Sequence, residues 1–267
     1  MVRAVPPLLR VAIWVFVIAT GIFLLAPLVV VVGVSISESQ FIGFPPSGIS
    51  FEWYGKVLQS DQYLGAAWIS LRVAFLVTLT SVVVGGAAAI ALHRRTLPLS
   101  GAIATFFLSP LVLPTIIYAI GMLLLWSALF GPVSIVTLWL GHTVITLPYV
   151  VRTTLAVLSE SDPFLEEAAK TMGANRLQRL WLVVLPQCMP GLLAGGFFAF
   201  NISFDEAVVS LFLRKPGLTT LPVQIYGQLE FSPDPSVAAV SSIMIGLTIF
   251  LILVIDRLLG IQKFASS

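Results

Sequence analysis

Six long apolar stretches constrain this chain more than any other feature: Val11–Val34, Leu64–Leu92, Ala102–Trp126, Val133–Val151, Met189–Leu213 and Val237–Ile255. As a helix rising ~1.5 Å per residue, each is long enough to cross ~30 Å of hydrocarbon. Lipid cannot satisfy a bare backbone, so such stretches must be helices or a closed barrel. The alternating ten-residue strands of a barrel are absent. Composition points the same way, with 58% hydrophobic and only 10% charged residues among 267, against about 25% charged in an ordinary soluble domain. Twelve acids and fourteen Lys/Arg cannot cover a water-soluble globule of this size. Intrinsic disorder requires the opposite balance. A disulfide scaffold is excluded because Cys188 is the only cysteine. The net charge of +2 gives no reason to expect a nucleic-acid partner. The expected fold class is all-α, a polytopic membrane protein with six transmembrane helices in the lipid bilayer, residues 1–267 forming one domain.

The basic residues set the orientation. With the N-terminus inside, ten lie on the cytoplasmic side: Arg3, Arg10, Arg94, Arg95, Arg152, Lys170, Arg176, Arg179, Arg257 and Lys263. Four lie outside: Lys56, Arg72, Arg214 and Lys215. That bias is the positive-inside pattern, and six spans return the C-terminus to the inside. The first span is too long for the apolar core of a signal peptide and is expected to stay as an anchor. The outer loop after it is expected on the membrane surface, with Trp53 and Tyr54 at headgroup level. Pro110 and Pro114 are expected to kink the third span. Gly85, Gly86 and the alanines that follow read as a face for close helix packing.

Residues 159–186, between spans four and five, are unusually polar for this chain. Asp162-Pro163 is a helix start, with Asp as N-cap and Pro at the first helical position. Glu166 and Glu167 fall in the first turns, where the helix dipole favours acids. Gly173 ends or turns this helix. A second amphipathic piece, with Leu177, Leu180, Trp181 and Val184, leads to Pro186. Two short helices broken by glycine on the cytoplasmic face describe a docking element.

Glu167-Ala168-Ala169, three residues, Gly173, nine residues, Val183, one residue and then Leu185-Pro186 reproduce the gapped EAA motif of ABC importer permeases. Pro190 and Gly195 also fall where that family has them. The chain thus resembles a permease of the type I, binding-protein-dependent importer class, with its MetI-like fold. That resemblance implies a coupling helix which seats in a groove of a separate cytoplasmic ATPase. It assigns the coupling role to Glu166, Glu167, Ala168, Ala169, Met172, Gly173 and Ala174. It also implies ABC ATPase subunits using ATP and Mg, a second homologous permease, identical or merely similar, and an extracytoplasmic substrate-binding protein. The chain itself has no Walker A sequence, since its only Gly-Lys pair, Gly55-Lys56, is followed by Val57. It is therefore expected to be no enzyme and to bind no cofactor or metal.

Within span five, Asn201-Ile202-Ser203-Phe204-Asp205-Glu206 interrupts the apolar run. Read as one helix, Asp205 lies about eight residues, or ~12 Å, from the outer end. A carboxylate at that depth is costly unless it meets protein, water or a cation. One reading is a polar stripe of Phe197, Asn201, Phe204, Asp205 and Glu206, joined by Tyr118 of the third span, lining a path for a cationic substrate. Aromatic faces would then add cation–π attraction. The other is a buried carboxylate satisfied by a hydroxyl or arginine, with Tyr118 serving packing. His142, Thr143 and Thr146 read as interhelical hydrogen bonders. Ser203 to Ser210 and Leu221-Pro222-Val223-Gln224-Ile225-Tyr226 resemble the spermidine/putrescine permeases, in particular their C-type subunit. That subfamily also serves opines, amino-acid-like compounds and phosphonates. An ion-coupled secondary transporter is the rival from another class, but it predicts inverted repeats that the sequence does not display.

Overall fold

In the computed structural model, residues 6–94, 99–162 and 164–259 are described. Arg3, Arg95, Pro163 and Lys263, which entered the charge and cap arguments, lie outside them. The described chain is helical: α1 (Pro7–Ser35), α2 (Glu52–Gln59), α3 (Asp61–His93), α4 (Ser100–Leu108), α5 (Thr115–Phe130), α6 (Ile135–Glu160), α7 (Phe164–Thr171), α8 (Arg176–Arg179), α9 (Leu185–Asp205), α10 (Val208–Phe212), α11 (Leu221–Phe231) and α12 (Ser236–Leu259). Among the described residues, five helices are apolar and long enough to span a membrane: Leu8–Ser35, Asp61–His93, Ile135–Glu160, Arg176–Asp205 and Ser236–Arg257. A bent pair, Ser100–Leu111 with Thr115–Leu129, makes six when counted as one broken span.

The third span is broken where the sequence predicts only a kink. Its halves meet at 101°. Pro110 opens a single 3₁₀ turn, Ser109–Leu111, and Pro114 becomes the extended N-cap of α5 at ψ 125°. Each proline lacks a helix donor, and Pro114 also pushes Leu113 away from helical angles. The fourth span runs on past Val151 to Glu160, with Pro148 inside it. The fifth differs most. The expected second short helix is no separate element, because α8 passes through a π-helical turn, Leu180–Val184, into α9. The Leu185 N–H bonds back to Leu180 O across that turn, and Pro186, next in line, has no donor to continue a regular ladder. At the other end the helix stops at Asp205 and does not run through to Leu213.

By its contacts the chain divides into two units, Met1–Leu64 with Ile225–Leu247, and Gly65–Gln224 with Thr248–Ser267. In the first, no residue of the most apolar window of α1 is buried within the chain. The loop after α1 folds inward: Trp53 is 3% exposed and donates from Nε1 to Ser37 O at 3.0 Å. The Tyr54 hydroxyl meets Ser35 Oγ at 2.7 Å. Trp53 is thus part of the loop's interior and Tyr54 is half-buried beside it.

In the second unit α6 and α9 pack backbone to backbone. Gly191 and Gly195 are one turn apart on α9. A Cβ on Gly191 would lie 2.8 Å from Thr154 Cα, and one on Gly195 2.7 Å from Val150 Cα. This is the small-xxx-small contact by which membrane helices approach closely. The Thr153 hydroxyl crosses the same contact to Gly191 O at 2.9 Å. Gly85 and Gly86 of α3 face Val150 and Leu192, as the packing-face reading expects.

Candidate coupling segment and translocation pathway

The inner segment is closed at both ends by local chemistry. Asp162 Oδ1 accepts the Phe164 N–H at 2.9 Å, starting α7. At the far end Ala174 N–H bonds to Ala169 O and Gly173 N–H to Lys170 O, each at 3.0 Å. That pair of bonds is a Schellman cap, which requires a left-handed residue; Gly173 supplies it at φ +87°. The next helix begins at once. Asn175 Oδ1 accepts from Gln178 N, and Gln178 Oε1 accepts from Asn175 N, at 2.9 and 2.8 Å. The reversal between α7 and α8 is therefore short and fixed.

The side chains divide by face. Glu167, Ala168 and Met172 are exposed, and Ala174 is half-buried. Ala169 is buried and turns toward the chain's own body. Exposed apolar side chains, Phe164, Leu165, Met172 and Leu177, crown the segment. Glu166 behaves differently from Glu167: its Oε1 lies 2.8 Å from Arg94 Nη2 and 3.8 Å from Arg179 Nε. The sequence grouped it with the docking residues; the structure occupies its carboxylate within the chain.

The polar interruption of span five is a helix break. α9 ends at Asp205, Glu206 is extended at ψ 105°, and α10 starts two residues on. Asp205 is exposed on the chain and stands at a helix end, where the sequence reading had one continuous helix. Glu206 Oε1 accepts the Val209 N–H at 3.0 Å and so caps α10. Phe204 is buried and stacks on Phe200 at 5.8 Å between ring centroids. Asn201 Nδ2 donates to Phe197 O at 3.0 Å, which uses its amide locally. Phe197 and Phe200 line an apolar groove of about 470 Å³ with Thr78, Leu193, Leu251 and Ile255. Tyr118 donates its hydroxyl to Gly141 O at 2.9 Å and packs against the cluster containing Val209 and Leu213. Of the predicted stripe, Asp205 and Glu206 therefore share the break, while the other four residues have bonded or packed roles around it.

One centre was only half legible. His142 on α6 is 1% exposed. Its Nδ1 lies 3.0 Å from Ser203 Oγ on α9 and its Nε2 3.1 Å from Ser210 Oγ on α10. A neutral imidazole has one donor and one acceptor, so it serves both hydroxyls. The ring therefore pins the two sides of the break. Ser81 and Thr146 join α3 to α6 nearby at 2.9 Å. The signal for the pin was the seven-residue spacing of Ser203 and Ser210, two turns on one face, opposite a lone intramembrane histidine.

Comparison with known proteins follows the same lines. Residues 81–263 match the family described as binding-protein-dependent transport system inner membrane component. The chain is 31% identical over 231 residues to the putrescine transport system permease protein PotI of Escherichia coli (strain K12), covering 84% of this chain and 82% of that protein. It is 30% identical over 230 residues to the spermidine/putrescine transport system permease protein PotC of Haemophilus influenzae, covering 86% and 89%. A crystal structure of a bacterial ABC transporter involved in the import of the acidic polysaccharide alginate contains a chain of the same fold, with a TM-score of 0.70. There, 95% of this chain and 98% of that one align at 18% identity, a likeness that speaks for the fold alone.

Proposed function

Since the chain belongs to the family of binding-protein-dependent transport system inner membrane components, we propose that it is the permease subunit of an ATP-driven importer, forming half of the pathway for a small organic cation of the polyamine class. It is a multi-pass protein of the bacterial inner membrane. Its partners in this reading are two copies of an ATPase that uses ATP and Mg, a second permease of the same kind, and an extracytoplasmic binding protein. No bond of the substrate is made or broken in this chain.

The observation that carries the reading is the capped hairpin at the inner end. Glu167 and Ala168 on α7 and Met172 just after it stand exposed, beside the apolar Leu165 and Leu177. An exposed apolar face rimmed by charge marks a protein contact. The Schellman cap at Gly173 and the capping box at Asn175 hold it in one shape, so a push from the ATPase moves the hairpin as a body. The push passes directly into span five, because α8 and α9 are one helix from Arg176 to Asp205. At the far end of that helix stands Asp205. Closure of the ATPases at one end would thus reorient a carboxylate at the other. Two observations support a cationic substrate: an exposed carboxylate at a helix end within an apolar chain, and the polyamine permeases among the relatives.

Gly173 offers the test. No atom lies within 4 Å of a Cβ added there, so substitution acts through φ alone. A β-branched residue at φ +87° is strained by about 1–2 kcal/mol or more, whereas Asn tolerates the left-handed region. In the reconstituted transporter, Gly173→Val should lower ATP hydrolysis stimulated by loaded binding protein about fivefold or more, and Gly173→Asn should lower it less. Equal, wild-type stimulation in both would remove α7 from the coupling path.

A further inference from the structure

Beside the buried Ala169, charge also joins the inner hairpin to the rest of the bundle. Glu166 Oε1 receives Arg94 Nη2 at 2.8 Å, and Arg179 Nε stands 3.8 Å from the same oxygen. The three residues come from three places: Arg94 follows the inner end of α3, Glu166 lies in the first turn of α7, and Arg179 closes α8. Arg179 Nε is buried and has no hydrogen-bond partner among the described residues. A buried donor left unpaired is unfavourable, and the carboxylate oxygen at 3.8 Å is about 0.6 Å beyond bonding distance. Ile90, Leu158, Val184 and Gln187 line a small cavity of about 140 Å³ beside Arg94 and Glu166.

We infer that Arg94 and Arg179 are positioning residues, tying the coupling helix through Glu166 to the inner end of α3 and to the helix of span five. A push on α7 then reaches two spans together. The inference rests on the reading that α7 docks the ATPase. It assigns to Glu166 an inward role, distinct from that of its neighbour Glu167. The Arg94 and Glu166 side chains are about one-third exposed, 36% and 31%. Ion pairs so open to solvent contribute little to stability. What the tie fixes is the angle of a lever, so its loss should be read in coupling and not in folding.

Charge reversal tests this in the complete transporter, with its partner permease, ATPase and binding protein, in lipid nanodiscs. Arg94→Glu should reduce both ATP hydrolysis stimulated by loaded binding protein and substrate moved per ATP, about fivefold or more. Glu166→Arg should do the same. The double variant, Arg94→Glu with Glu166→Arg, restores the pair with α3 but sets a guanidinium against Arg179, 3.8 Å from the Glu166 carboxylate, so it should couple clearly better than either single variant, the non-additivity expected of a direct pair, and stay below wild type. Thermal unfolding should be the same in all four proteins. A double variant no better than the worse single one, or an Arg94→Glu protein that couples normally, would overturn the inference. Should a charge-reversed protein fail to assemble, Arg94→Gln and Glu166→Gln replace it, and their losses must not add. Gly173→Val separates the inference from the reading beneath it. If that variant couples normally, α7 is not the docking element. If it uncouples while the charge swap gives no rescue, only the tie is refuted.

Discussion

Replacing Gly195 with alanine should separate α6 from α9 and weaken the bundle. The new Cβ would lie 2.7 Å from Val150 Cα and 2.6 Å from Thr153 Oγ1. The hydroxyl can rotate away, but Val150 Cα is backbone and cannot. Ordinary contact starts near 3.4 Å, so the two helices must part by about 0.7 Å. That stretches the Thr153 Oγ1 to Gly191 O bond from 2.9 Å to about 3.6 Å, beyond useful length. Overpacking of this kind costs about 1–3 kcal/mol, and an interhelical hydrogen bond in a membrane adds about 0.6 kcal/mol. Alanine's better helix propensity returns about 0.5–1 kcal/mol. The net loss is about 2 kcal/mol, or a fall in Tm of about 4–8 °C for a chain of this length. Gly246 on α12 supplies the control, since no atom lies within 4 Å of its Cβ position. There alanine should raise stability by about 0.5–1 kcal/mol. The chain carries its own probe. Cys188 is its only cysteine and is fully buried, three residues before Gly191. A thiol-reactive dye therefore reports unfolding as the temperature rises. Unfolding of Gly195→Ala at or above the wild-type temperature, or a matching fall in Gly246→Ala, would refute the close-approach argument.

The same glycines show how far the sequence can be read. Gly85-Gly86 could be identified as a packing face because small residues in an apolar helix have few other uses. The spans were legible for a similar reason: lipid leaves the backbone one solution, so hydropathy alone sets type and number. The α7 reversal was legible at Gly173, where the turn depends on one residue's φ and its caps are local. Three features were not. The break at Val112–Pro114 lies inside a run that stays apolar, and the dip at Asn201–Glu206 is short and flanked by apolar residues on both sides, so a window that averages apolarity passes over both. Proline marks the first as a kink, but the 101° turn depends on what the two halves pack against. At the second, Glu206 spends its carboxylate on the Val209 N–H, and the helix ends where that cap becomes possible. The Arg94–Glu166 pair joins residues 72 apart in the chain. No periodicity encodes such a partner, and a glutamate in a helix's first turn already has a sufficient local explanation.

Two further outcomes follow from the break after Asp205. His142→Ala leaves the Ser203 and Ser210 hydroxyls without their shared partner, at a cost of about 1–3 kcal/mol. Hydrogen exchange should then quicken in Val208–Phe212 while the α6–α9 contact at Gly191 keeps its protection; loosening of the whole bundle, or of no part of it, would refute the pin. Asp205→Asn keeps shape and removes charge. If the carboxylate balances an ammonium group on the substrate, the KM for putrescine uptake should rise about tenfold, the effect of roughly 1.4 kcal/mol, with assembly and ATPase binding unchanged. A structural carboxylate and a substrate-facing one respond differently to substrate charge. In the cation reading, Asp205→Asn should penalise a diamine more than an uncharged analogue of the same length. In the structural reading the two lose equally. Glu206 is the natural comparison: its carboxylate already caps α10, so Glu206→Gln, which keeps an acceptor oxygen, should change uptake of both compounds alike. A larger diamine-specific loss at Glu206 than at Asp205 would exchange the roles of the two acids.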